Sequence, residues 1–179
     1  MNDAPPLPAS EEIAYLLGTL LDRRVKVTVV AKNAGVQLAK GAHVALYVDE
    51  TSTARFVGLA DLTFVAAVGA ALALIPPALV GEAVKAGELS GALFENAYEV
   101  LNIAASTFNE AKGAKTHVKL RELRPFQQVD PATVKAIKDG LKRLDVEIEI
   151  PTYGKGKLSL IVLPFQSSQH PHHPPTHPH

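Results

Sequence analysis

Residues 64–80 read FVAAVGAALALIPPALV, 17 positions without a charged side chain. A run of this kind has to leave water. A helix that spans a bilayer needs roughly 20 consecutive apolar residues. This stretch is shorter, rich in Ala and Gly, and interrupted by Pro76-Pro77. It reads as a helix from Asp61 or Thr63 to Ile75, buried inside a folded domain and packed closely through Gly69, Ala70 and Ala73. A helix that is apolar all round must be covered by other elements. The chain has 179 residues, 47% of them hydrophobic, which suits one domain with a substantial core.

Charge and composition exclude several classes of function. With 18 basic and 18 acidic side chains the formal net charge is zero, and no basic excess marks a nucleic-acid surface. Cysteine is absent, which rules out disulfides, thiolate metal sites and thiol nucleophiles, and fits a reducing cytoplasmic setting. The opening MNDAPPLPAS has neither a basic start nor an apolar run, so it does not read as a signal peptide.

The elements around the apolar run follow from periodicity and punctuation. Residues 1–9 read as a disordered leader. Ser10 is placed to cap a helix whose apolar face is Ile13, Leu16, Leu17, Leu20 and Leu21. Val25, Val27 and Val29 alternate as a strand. Ala42–Val48 and Thr53–Leu59, joined by a polar tip, form a hairpin. After the prolines a short helix spans 78–86. A long amphipathic helix spans about 90–112 and stops at Gly113. Thr116–Leu123 is a strand. Asp130-Pro131 opens a helix to about Leu144. A hairpin built on Val146, Ile148, Ile150 and Leu158, Leu160, Val162 closes a domain of residues 10–164. The expected fold class is α+β: a mixed, mostly antiparallel sheet with two long helices packed on it. Residues 165–179 form a His- and Pro-rich tail that cannot bury a core. Its imidazoles suit zinc or nickel, whether native or appended, and reveal nothing about the domain.

The polar side of the long helix contains Glu95, Asn96, Glu99, Asn102, Ser106 and Asn109. At about 100° per residue, Glu95 and Glu99 lie about 40° apart, Asn102 lies about 60° from Glu99, and Ser106 continues the row. Two carboxylates at this spacing repel. Asparagine disfavours a helix interior because its amide competes for backbone hydrogen bonds. The pattern fits either a solvated face or a docking surface.

In this row, Glu95, Glu99 and Asn102 match the motif of the CheC/CheX/FliY-type chemotaxis phosphatases: an acidic residue or serine, then Glu four positions on, then Asn three further, with a proline downstream. Pro125 is that proline here, after 22 intervening residues, one more than is usual. Glu95 stands where Asp or Ser is the rule. The element order and the closing VEIEIPTYGKGKLSLIVL also resemble the family, over residues 10–164. A single copy of the motif resembles the CheX-like branch.

The resemblance implies a phosphatase that docks a phosphorylated CheY-like receiver. Asn102 would orient the water that hydrolyses the aspartyl phosphate, and Glu99 would pair with the receiver's lysine. Glu95 and Ser106 would be partner contacts. The protein would need no cofactor of its own, the receiver supplying magnesium. Homodimers are the family's habit. A non-catalytic CheX-like scaffold that binds a receiver or another signalling partner is the alternative.

Other candidates are weaker. His43 and His117 read as ordinary strand histidines. Gly154-Lys155-Gly156-Lys157 lacks a following helix and is a hairpin turn rather than a phosphate loop. Lys115, Lys119, Arg121 and Arg124 form a basic strand face.

Overall fold

A computed structural model describes residues 4–89 and 91–165. Its frame is a six-stranded sheet of order β1-β5-β6-β3-β2-β4. The strands are β1 Lys26–Val29, β2 Ala42–Asp49, β3 Ala54–Asp61, β4 Val118–Pro125, β5 Lys142–Ile150 and β6 Gly154–Val162. Every neighbouring pair is antiparallel, so the sheet is wholly rather than mostly so. Among the described residues, the α-helices are α1 Ser10–Leu21, α2 Leu62–Leu72, α3 Ala78–Ala86, α4 Gly91–Ile103, α5 Ala105–Asn109 and α6 Pro131–Lys138. The α+β class stands.

Alternation along the strands divides the core between two faces. Ala45, Tyr47, Phe56, Ile148 and Leu160 point to the face covered by α1, α2, α4 and α5. Val44, Leu46, Val57 and Ile161 point to the other face, covered by Val36, Ile137 of α6 and the 31–41 segment. The first part of the 64–80 run, through Leu72, lies at the centre of the first layer, whereas Ala73, Leu74 and residues 76–79 are exposed, so the run does not leave water over its whole length. Residues Phe64–Ala71 are all buried, and α2 packs on β6, α3 and α4. Asp61 caps it, accepting a 2.8 Å bond from the Phe64 N–H. At Gly69 the helices touch backbone to backbone: an added Cβ would stand 2.3 Å from the Leu93 carbonyl oxygen.

Several expected boundaries move. Helix α2 ends at Leu72, short of Ile75, and Ala73 is exposed. Leu74 takes a left-handed conformation (φ 55°) and the Ile75 N–H returns to the Ala70 carbonyl at 2.9 Å. The chain thereby leaves the helix before reaching prolines that cannot continue it. Helix α1 is capped by Ala9, not Ser10, with no side-chain cap bond. Helix α6 stops at Lys138 instead of Leu144, because residues 142–146 pair with β6. The leader is not free over residues 4–9: Pro8 is buried, and Ala4 and Leu7 pack against the larger core. Phe165 receives the Arg55 guanidinium 4.6 Å from its ring centroid. The rest of the expected tail, 166–179, lies outside the described residues.

Candidate functional site

The long helix expected over 90–112 is broken. Helix α4 ends at Ile103, and α5 starts at Ala105. The break has a tertiary cause. The buried Tyr47 hydroxyl, carried by β2, donates a 2.7 Å bond to the Leu101 carbonyl, the acceptor an unbroken helix would give to the Ala105 N–H. Burial pushes the Tyr47 phenol up, so it remains a donor throughout the accessible pH range. Phe108 of α5 stacks on Phe56 at 4.3 Å and tilts against Tyr47 at 4.9 Å, which fixes the direction of the second segment.

The rotation of α4 about its own axis is fixed as well. Its buried stripe is Ala97, Val100 and Leu101. On the flank, the Asn96 amide donates a 3.1 Å bond to the Gly69 carbonyl of α2. With Tyr47 holding Leu101, these contacts settle which residues face outward. Glu95, Glu99 and Asn102 all do, on a row centred about 170° from Ala97. Among the described residues, none of the three has a hydrogen-bond or ion-pair partner. Ser106 lies beyond the break on α5 and is half-buried, so the structure leaves it out of the exposed row.

The other asparagines of the polar side have structural employment. Asn96 holds α2. Asn109 clamps the start of β4, with its Nδ2 donating to the Val118 carbonyl at 3.0 Å and its Oδ1 accepting from the Val118 N–H at 2.7 Å. Asn102 alone of the three is exposed.

Next to Glu95 the surface opens into a groove of about 730 Å³. Its walls include Glu95 and Phe94 of α4, Leu123 and Pro125 of β4, and His43 of β2. The antiparallel register sets Pro125 opposite His43. The two sequence-distant parts of the motif, Glu95 and Pro125, thus border one depression. His43 is buried, its Nδ1 has no partner among the described residues, and burial lowers its pKa, which keeps the ring neutral at pH 7. Sequence reasoning placed His43 on a strand and had no signal for its proximity to Glu95. His117 is exposed, just before β4. Among the described residues, no group of three or more His, Asp or Glu side chains is arranged to hold a metal ion.

No family model matches the sequence, and no curated protein matches it. Solved structures do. FliY of Thermotoga maritima aligns over 87% of this chain and 84% of its own, with a TM-score of 0.59 and 18% identity. The FliM middle domain of Helicobacter pylori aligns over 86% and 84%, with a TM-score of 0.57 and 7% identity. A chain of the H. pylori FliG–FliM complex aligns over 86% of both chains, with a TM-score of 0.58 and 9% identity. The chain is thus an α+β domain with a helix-borne polar row. Its fold is that of FliY, as the resemblance implied, and also that of the FliM middle domain, which the resemblance did not include. No described helix is long and apolar enough to cross a membrane.

Proposed function

We propose that this protein docks a phosphorylated CheY-like receiver on the exposed face of α4 and promotes hydrolysis of its aspartyl phosphate, in the manner of the CheC/CheX/FliY-type phosphatases of chemotaxis. The observation that carries the proposal is the pair Glu99 and Asn102. Both are exposed on one rigidly oriented helix, and neither is engaged within the described chain.

An acyl phosphate needs little from its catalyst beyond an aligned water. The Asn102 amide both donates and accepts hydrogen bonds, and so holds the attacking oxygen in line with the phosphorus. Water adds to phosphorus, the bond to the aspartyl oxygen breaks, and inorganic phosphate leaves with the carboxylate restored. Glu99 meets the receiver's lysine and sets the register. Glu95 adds a contact at the periphery, at the mouth of the groove. Magnesium arrives with the receiver.

The test is phosphate release from receivers of the same organism. Wild type should accelerate release from a cognate receiver. Asn102→Ala should lose about 10²-fold of that acceleration with an unchanged circular-dichroism spectrum. Acceleration of no receiver, or full activity in Asn102→Ala, refutes the proposal.

A second reading is a docking module without catalysis. It is favoured by the likeness in fold to FliM, which has been crystallised in complex with FliG. Receiver binding that Glu99→Ala weakens, with an unaltered lifetime of the phosphate, selects this reading.

A further inference from the structure

The opposite face of the sheet carries a second recognition surface. A groove runs between α6 and the 31–38 segment, in two lobes of about 350 and 500 Å³ that share Lys32, Gln37 and Arg143. Lys138 and Lys142 complete its rim. Among the described residues, no acidic side chain lines either lobe, although the chain as a whole is neutral. Asp139, next to Lys138 in the chain, is engaged by Lys135, and Asp145 by Arg143. Lys32, Lys138 and Lys142 are exposed and, among the described residues, have no carboxylate within ion-pair distance. Beneath it lie the buried side chains of Val36, Leu59 and Ile161, and the apolar side chain exposed to an occupant is Leu141, at the edge.

The wall beneath the cations is built rather than incidental. Asp145 is buried and grips the Arg143 fork, Nε at 3.0 Å and Nη2 at 2.7 Å. The same carboxylate accepts from the Ser159 hydroxyl at 2.6 Å, whose oxygen in turn accepts from the Val36 N–H at 2.9 Å. Gly35 passes so close that a Cβ there would overlap the Asp145 carboxylate. A buried ion pair adds little to stability by itself. Its effect here is to hold one guanidinium still at the edge of an uncompensated cationic groove.

We infer that this groove binds an acidic peptide segment of a partner protein, its carboxylates on Lys32, Lys138 and Lys142 and one apolar side chain against Leu141. Charge complementarity specifies the sign of the occupant. A recess between separated cations with the exposed Leu141 at its edge specifies a chain with an apolar anchor, rather than a flat lipid surface or a compact anion. The site lies across the sheet from Glu99 and Asn102, so it does not depend on the proposed phosphatase reading.

The probe is a fluorescein-labelled dodecapeptide of Asp and Glu around a central Leu, followed by anisotropy against the full chain at low salt. Saturable binding is expected. It should weaken at least about tenfold in Lys138→Glu/Lys142→Glu, and again on raising the salt. Lys32→Glu, on the other wall, should weaken it as well. Receiver dephosphorylation by these variants should be unchanged. Absent or non-saturable binding overturns the inference. So does equal affinity for the charge-reversed variants, equal affinity for a peptide with Ser in place of Leu, or binding to phosphatidylserine vesicles without binding to the peptide.

Discussion

Replacing Gly69 with Ala sets helix propensity against packing. In a solvated helix interior the change should stabilise by about 1 kcal/mol. At Gly69 the new Cβ would stand 2.3 Å from the Leu93 carbonyl oxygen and 3.1 Å from its carbon. Both are backbone atoms, so no rotamer change relieves the overlap. Helix α4 must retreat by about 1 Å to reach ordinary contact, which loosens the packing of Ala97 and Val100 and stretches the Asn96 bond. Overpacking of this kind costs about 1–3 kcal/mol, and the weakened hydrogen bond about 1 kcal/mol. The propensity gain offsets roughly the second of these, leaving a net loss of about 1–3 kcal/mol. Urea unfolding followed by circular dichroism measures it. Gly81→Ala in α3 is the internal control: a Cβ there meets nothing within 4 Å, so the variant should gain up to about 1 kcal/mol. Because α4 carries Glu99 and Asn102, any receiver turnover should fall in Gly69→Ala and persist in Gly81→Ala. A Gly69→Ala protein as stable as wild type would refute the close approach of α2 and α4.

Leu74 is 73% exposed at φ 55°, a conformation that suits glycine; Leu74→Gly should raise stability by about 0.5–1 kcal/mol, read as a higher thermal midpoint. Burial raises the Asp61 pKa despite the bonds it accepts from Phe64 and Lys157, so its ionised form opposes folding. Its contribution is therefore complete when protonated and is lost as pH rises through the folded-state pKa. Asp61→Asn keeps the cap oxygen and should match or exceed wild-type stability at pH 7, the difference vanishing below about pH 4 in a pH series of urea melts. Asn109→Ala removes both bonds to Val118 and should cost about 2–3 kcal/mol, with faster amide exchange at Val118.

The elements that the sequence displays best are those whose partners are adjacent. The β2–β3 and β5–β6 hairpins were legible because alternation and turn residues are local. The end of α6 was not, because pairing of Lys142–Val146 with β6 overrides the apolar spacing that runs on to Leu144. The break after Ile103 has no local signal. It depends on the Tyr47 hydroxyl, 54 residues away from the carbonyl it meets. The same limit applies to the polar row. Asn96, Asn102 and Asn109 look alike in sequence, yet two of them are engaged by Gly69 and Val118, and only the fold distinguishes the exposed third. The row through Asn102 was readable as a helical face; the exclusion of Ser106 was not, because the spacing assumed an unbroken helix. Periodicity also could not bring Pro125 to the groove beside Glu95, since that requires the pairing of β4 with β2.

The sheet order has a consequence for how the protein comes into being. The last described strand, β6, is not at an edge: it lies between β5 and β3. Before it arrives, the β3-β2-β4 half and the β1-β5 half share no hydrogen-bonded neighbour, and the inward face of α2 lacks the Leu158–Val162 surface it rests on. A ribosome will therefore have released both halves and every described helix before the core can close. Such a nascent chain waits with an open β3 edge and an apolar helix exposed, so its synthesis should depend on chaperone cover more than its size alone would require.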